Sequence, residues 1–277
     1  MSIFIMARRV YRAVWMSDLH LGTRGCSAEL ILSFLKNVQT DTLYLVGDII
    51  DGWHLTHRWY WPKSHQLIVD EILYMMGTGT RVVYVTGNHD EFLRRYVYLL
   101  NNAASDKLVV TNEAVHETLH GKRFLVIHGD TFDSVLMNHR SLSIVGDYAY
   151  TFLLSLHRLQ RWVRHKAGYT QWSFAHWCKD RTKNITSFLT NFRETMVASV
   201  KKRGFDGVIC GHLHFAEMLK IDGLFYINDG DGVESCTALL EERTGDLSLV
   251  GYHTDPPMQM CRLRLPEGTI TPSPSLM

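Results

Sequence analysis

Residues 10–22 read Val10-Tyr-Arg-Ala-Val-Trp-Met-Ser-Asp18-Leu-His20-Leu-Gly22. An apolar run stops abruptly at a carboxylate and an imidazole two residues apart, with a glycine close behind. The same grammar recurs four times. Thr42–Val46 runs into Gly47-Asp48, with Asp51 three residues on, and Arg81–Thr86 runs into Gly87-Asn88-His89-Asp90. Arg123–Ile127 runs into His128-Gly129-Asp130, and Gly207–Cys210 into Gly211-His212-Leu213-His214. Short runs rich in Val, Ile, Tyr and Phe read as buried strands. Between the first three lie helical periodicities: Leu30, Ile31, Phe34, Leu35 and Val38 in one, and Leu67, Ile68, Ile72, Leu73 and Met76 in the other, closed by Gly77-Thr78-Gly79. Strands alternating with such helices imply βαβ units and a largely parallel sheet. In open α/β sheets ligands gather beyond the carboxyl ends of the strands, so the five polar segments are expected to meet along one edge.

Beyond Gly211 the texture changes to short runs, Glu217–Ile221, Leu224–Ile227, Cys236–Leu240 and Leu247–Tyr252, separated by Asp-Gly, Asn-Asp-Gly and Thr-Gly-Asp turns. These predict antiparallel strands and hairpins. From Asp255 on, five of the six prolines fall in 23 residues, which predicts an irregular tail over 255–277. The remainder, 1–254, reads as one domain carrying a mainly helical insertion over 132–203. That insertion is basic and aromatic. Within 157–203, eleven Lys and Arg face only Asp180 and Glu194, a local net charge of +9 in a chain whose total is +1. Arg158, Arg161, Arg164, Lys179, Arg181 and Lys183 are its candidate anion contacts, with Phe152, Leu156, Trp162, Trp172, Phe174, Trp177 and Phe188 interleaved.

Composition narrows the classes. With 46% hydrophobic and 21% charged residues the chain is neither disordered nor fibrous, and a net charge of +1 excludes a uniformly basic nucleic-acid coat. Five dispersed cysteines with no C-x-x-C pair suggest reduced thiols. The apolar stretch before Arg8-Arg9 is too short for a signal peptide, and no run approaches the ~18 apolar residues of a membrane span. The expectation is a soluble, cytoplasmic protein able to lie on the inner face of the membrane. No specific nucleic acid is expected, and oligomeric state is left open.

One D-x-H or H-x-H is an ordinary surface or capping group, but five after five strands form a pattern. Asp, Asn and His donors with no thiolate suit Mn²⁺, Fe²⁺ or Zn²⁺ rather than a structural zinc site. Two such ions close together can polarise a phosphoryl oxygen and acidify a water.

As a set, the five segments resemble the calcineurin-like metallophosphoesterase superfamily over Val10 to about Leu219. The resemblance implies a four-layer αββα sandwich, with the helical insertion as a cap before the Gly211-His-Leu-His214 segment. It implies that Asp18, His20, Asp48 and His214 hold one divalent ion and that Asp48, Asn88, His128 and His212 hold a second. The ions would be Mn²⁺, with Fe²⁺ or Zn²⁺ as alternatives. It places His89 beside the leaving group or a phosphoryl oxygen. Asp51 and Asp90 are expected either to orient ligands or to serve as turn and N-cap residues. Asp18-Leu-His-Leu-Gly22, Gly47-Asp-Ile-Ile-Asp-Gly-Trp53 and His128-Gly-Asp-Thr131 are similar to the UDP-2,3-diacylglucosamine pyrophosphohydrolases of lipid A synthesis. Where those enzymes typically read Gly-Asn-Arg-Asp, this chain has His89. The resemblance therefore implies a two-metal hydrolase acting on a sugar-nucleotide lipid. Alternatives are a metallophosphoesterase for another phosphodiester, nucleotide or nucleic acid and, more distantly, a non-catalytic metal-bound scaffold.

Overall fold

The computed structural model of the chain describes residues 8–97, 107–132, 174–265 and 267–272. In chain order the elements are β1 (Arg9–Met16), α1 (Ala28–Asn37), β2 (Val38–Val46), α2 (Gly52–His57), α3 (Lys63–Gly77), β3 (Arg81–Val85), a short 3-10 helix (Glu91–Tyr96), β4 (Leu108–Thr111), β5 (Glu113–Glu117) and β6 (Arg123–Ile127). After them come α4 (Phe174–Lys202), β7 (Gly207–Cys210), β8 (Glu217–Ile221), β9 (Leu224–Asn228), β10 (Thr237–Glu241), β11 (Leu247–Gly251), β12 (Met258–Arg264) and β13 (Thr269–Pro272).

The chain divides into two compact units, 1–129 with 197–277 and 130–196. In the first, an eight-stranded sheet in the order β13-β12-β11-β10-β1-β2-β3-β4 stands with a five-stranded sheet in the order β5-β6-β7-β9-β8. Both are mixed. The pairs β1–β2, β2–β3 and β3–β4 are parallel, as the βαβ reading requires, but β1 also pairs antiparallel with β10. In the smaller sheet β6, β7 and β9 are parallel and β5 and β8 are antiparallel edges. The parallel run read from the βαβ pattern forms one half of the larger sheet, β1 to β4, and the two sheets fit the sandwich that the family resemblance implies.

Strand alternation divides each strand of the larger sheet between two cores. Val14, Met16, Leu43, Leu45 and Val82 pack on one face with Ile31, Phe34 and Leu35 of α1 and Ile68, Ile72 and Met75 of α3. Ala13, Trp15, Tyr44, Val46, Val83 and Val85 point the other way, against Phe124, Val126, Ile209, Phe225 and Ile227 of the smaller sheet. Leu125, Val208 and Tyr226, on the outer face of that sheet, are also buried, as are Val197 and Val200 at the end of α4.

The stretch after Asp255 departs from the expected irregular tail: it carries β12 and β13, which extend the larger sheet antiparallel beyond β11. The prolines punctuate the strands rather than occupy their middles, and Leu263 and Leu265 enter the core between the sheets. In the second unit the described part is built around Phe192, whose ring meets Phe132 and Phe188. No helix among the described residues is long and apolar enough to cross a membrane. Arg158, Arg161 and Arg164 lie outside the described residues, and Lys179, Arg181 and Lys183 lie on the stretch of α4 whose side chains are outside them.

A buried polar network ties the two sheets together. Glu241 of β10 accepts from His116 Nε2 of β5 at 2.9 Å and from the Leu119 backbone N–H at 2.8 Å, with Arg12 Nε of β1 at 3.2 Å. Tyr44 of β2 bonds the other His116 nitrogen at 3.1 Å and stacks on Trp15. Burial alone would raise the Glu241 carboxyl, but these donors outweigh it and hold it below the ordinary value of 4.5. A depressed carboxylate contributes stability that is complete above its unfolded value and is lost as pH falls through the folded one. Glu241→Gln should therefore cost about 2 kcal/mol at neutral pH and flatten the acid limb of stability below pH 4.5, both measured by urea unfolding across pH.

Candidate metal centre

The carboxyl ends of β1, β2 and β3 in one sheet and of β6 and β7 in the other bring the five polar segments together. Backbone bonds lock the turns to each other: Asp18 N–H donates to Gly47 O (3.0 Å), His20 N–H to Asp48 O (3.0 Å), Gly52 N–H to His89 O (3.0 Å) and Gly211 N–H to His128 O (3.2 Å). Asp18, His20, Asp48, His212 and His214 all have positive φ, between 49° and 68°. Left-handed backbone at a residue with a Cβ is unfavourable, and its recurrence at five positions turns each side chain back into the space between the strand ends. Such concentrated strain is typical of functional sites.

Three donor clusters result, one of them His20, Asp51 and His89. Asp18, His20 and His214 present ligand atoms within 4.8 Å of one another, and Asp48, His128 and His212 do the same. His214 Nε2 lies 3.1 Å from Asp18 Oδ1, and His128 Nε2 lies 3.3 Å from Asp48 Oδ2. His128 Nδ1 faces the Val46 carbonyl at 3.0 Å. A carbonyl only accepts, so Nδ1 carries a proton and Nε2, on the Asp48 side, is the nitrogen left for a cation. His20 is turned similarly: its Nδ1 lies 3.2 Å from Asp51 Oδ2, leaving Nε2 on the Asp18 side.

Asp51 unites both expectations held for it. Its Oδ1 caps α2 by accepting the His54 N–H at 2.7 Å, while its Oδ2 faces the Nδ1 atoms of His20 and, at 3.1 Å, of His89. Asp90 is a turn organiser, accepting from the Tyr84 hydroxyl (2.7 Å), the Ile49 N–H (3.1 Å) and the Gly87 N–H. It thereby pins the loops that carry Asp48 and Asn88. Tyr84 carries no signal of this role at the level of sequence, since a tyrosine in an apolar run reads as core. His89 sits at the rim, its ring 4.8 Å from His20 and 4.4 Å from Trp53. His54 and His57 are exposed on α2.

The electrostatics explain why imidazoles surround the carboxylates. Burial would push Asp18 and Asp48 up, but His214 and His128 about Asp18, and His128, His20 and His89 about Asp48, outweigh burial and hold both far below the usual carboxylate range. Burial opposes the charge of His214, yet Asp18 pushes it up to about 9. The donors fit a pair of divalent cations on three counts. Asn88 Oδ1 is buried with no hydrogen-bond donor, the ligand set is oxygen and nitrogen only, and the clusters adjoin. Space is closely matched as well: a Cβ on Gly87 would overlap Asp48 and approach His128 Cδ2 at 2.9 Å. Gly87→Ala should weaken Mn²⁺ binding at least about tenfold, whereas Gly77→Ala, where an added Cβ meets nothing within 4 Å, should leave it unchanged; titration calorimetry of the metal-free proteins measures both.

The chain is similar to several known proteins. A UDP-2,3-diacylglucosamine hydrolase of Histophilus somni is 28% identical over 123 residues, 43% of this chain and 50% of the relative, so the chain spans half of that relative's length. A protein of the same name from Psychromonas ingrahamii is 22% identical over 215 residues, covering 73% of this chain and 80% of the relative. Among solved structures, a phosphoesterase from E. coli superposes with a TM-score of 0.45 at 12% identity, covering 90% of this chain and 97% of that one. The calcineurin-like phosphoesterase family matches residues 11–216, from the first strand through the Gly211-His-Leu-His214 turn and its sequel. With that match spanning most of its length, the chain belongs to the calcineurin-like phosphoesterase family.

Proposed function

We propose that the chain is a two-metal hydrolase of phosphoanhydrides or phosphoesters. Asp18, His20, Asp48 and His214 would hold one cation and Asp48, Asn88, His128 and His212 the other. The observation that carries this reading is the pair of adjoining Asp/His clusters at the strand ends, with the buried Asn88 oxygen beside them. When bound, such a pair of ions polarises a phosphoryl oxygen and lowers the pKa of a water that attacks phosphorus. The chain's own groups prepare that attack. Val46 and Asp51 hold the ring nitrogens of His128 and His20 that face away from the carboxylates, so the opposite nitrogens point inward. His89 is oriented through Nδ1 by Asp51, which leaves Nε2 to donate a proton or hydrogen bond at the reacting phosphoryl group or its leaving oxygen.

The substrate proposed is the diphosphate of UDP-2,3-diacylglucosamine or a related sugar-nucleotide lipid, cleaved to UMP and a lipid phosphate. The names of the two relatives support it, as does the basic and aromatic stretch 157–203, in which Arg158, Arg161, Arg164, Lys179, Arg181 and Lys183 are the proposed contacts for anionic groups. Mn²⁺ is the proposed metal, and the inner face of the cytoplasmic membrane the proposed place of work.

Hydrolysis of UDP-2,3-diacylglucosamine with Mn²⁺ in mild detergent, run beside bis-p-nitrophenyl phosphate, tests both levels. Metal-dependent UMP release that Asp48→Ala abolishes is expected. Turnover of the generic diester alone would overturn the substrate while keeping the chemistry, and turnover of neither in metal-loaded protein would overturn the hydrolase. His89→Ala should lower kcat by about 10²–10⁴ while both cations still bind; near-normal turnover would remove its proton-donor role.

A further inference from the structure

The run Leu224–Asn228 ends in Asp229-Gly230-Asp231-Gly232, a sixth strand followed by a polar cluster. On sequence grounds these residues are turn formers, and turn residues are ordinarily exposed. Here Asn228 and Asp229 have no exposed surface and Asp231 has 1%. Asp231 caps its own loop, accepting from the Val233 N–H and the Ser235 hydroxyl, whereas Asn228 and Asp229 reach the turns that carry the proposed ligands. Asn228 Nδ2 donates to the Gly211 carbonyl at 2.6 Å, while its Oδ1 accepts the Gly230 N–H at 3.0 Å. Asp229 Oδ1 accepts from the Ser17 hydroxyl at 2.6 Å, the Asp229 N–H donates to Cys210 O at 2.9 Å, and the Gly232 N–H donates to Asp18 O at 3.1 Å.

These bonds close a ring. Asp229 holds Ser17, which is bonded covalently to Asp18. Asp18 Oδ2 accepts the His212 N–H at 2.9 Å, His212 is joined to Gly211, and Gly211 is held by Asn228, the neighbour of Asp229. Three hydrogen bonds and three chain links thus fix the end of β1 to the end of β7. The ring spans the two clusters, because Asp18 belongs to one and His212 to the other.

We propose that Asn228 and Asp229 are positioning residues that set the spacing between the two halves of the metal centre. The proposal rests on the two-cation reading above and adds residues outside its ligand set. The amide at 228 is specific: one end donates and the other accepts, so an aspartate of the same shape would place an acceptor against the Gly211 carbonyl. At 229 only an acceptor towards Ser17 is needed. Burial pushes the Asp229 carboxyl well up, so an asparagine there resembles the native neutral group.

The test is Co²⁺ titration of the metal-free full chain, read by visible absorption and by stoichiometry, with Tm measured alongside. Wild type should take two Co²⁺ per chain. Asn228→Asp should bind one of them at least tenfold more weakly with an altered spectrum. Asp229→Ala should lose affinity likewise, and Asp229→Asn should restore it. Glu241→Gln, which lowers Tm from the far side of the sheets, should leave the Co²⁺ spectrum unchanged and so separates positioning from general destabilisation. If Asn228→Asp does not fold, Ser17→Ala decides, since it deletes one hydroxyl and should weaken one site several-fold. Variants that load two Co²⁺ with wild-type affinity and spectrum overturn the clamp alone. Wild-type uptake below two cations overturns the two-cation reading and the clamp with it.

Discussion

Two carboxylates buried beside each other, Asp18 with no exposed surface and Asp48 with 2%, impose the constraint from which the site follows. Removing an ionised carboxylate from water is costly unless positive charge and hydrogen-bond donors replace the water. Each raises the other's cost through like-charge repulsion. The imidazoles of His20, His128 and His214, with the backbone N–H groups of His89 and His212, supply the replacement. A pair of divalent cations satisfies the same demand more completely, since the histidines then coordinate as neutral bases and the carboxylates neutralise metal charge.

That demand is met in a narrow volume because the backbone turns back on itself at the ends of β1, β2 and β7. Five non-glycine residues in the left-handed region cost about 1–2 kcal/mol each, and they persist because cross-strand bonds such as Asp18 N–H to Gly47 O and His20 N–H to Asp48 O over-determine them. The strain sits on a scaffold able to carry it. The larger sheet is buried on both faces by two separate cores, and Glu241 and His116 join it to its partner sheet. Rigid strands beneath strained loops let ligand atoms from five segments be placed before any ligand arrives.

How much of this was legible depends on whether a residue's role is local. A strand followed at once by Asp, Asn or His beside Gly is a local signature that marks the five segments, and resemblance to the family picks the seven proposed ligands within them. Met258–Leu265 carried a readable alternation, with Cys261, Leu263 and Leu265 on one side, but flanking prolines masked it. Tyr84 and Ser17 were invisible because a hydroxyl inside an apolar run looks like core until its partner is known. Asn228 and Asp229 read as a hairpin turn, since the residues that form turns and those that make buried polar clamps are the same.

By itself, the sequence determined the alternation of strands and helices, the family, and the set of side chains that gather at the strand ends, because apolar periodicity and short-range spacing are properties of a few neighbouring residues. Only the tertiary structure brings those side chains within reach of one another. The division into Asp18–His20–His214 and Asp48–His128–His212 comes from contacts up to 196 residues apart in the chain, as does the ring that joins Ser17 to Asp229 and Asn228 to Gly211. It also decided that the parallel strands of the two sheets lie with their carboxyl ends together. Such partnerships depend on the register and stacking of distant strands, and no local pattern of residues encodes them.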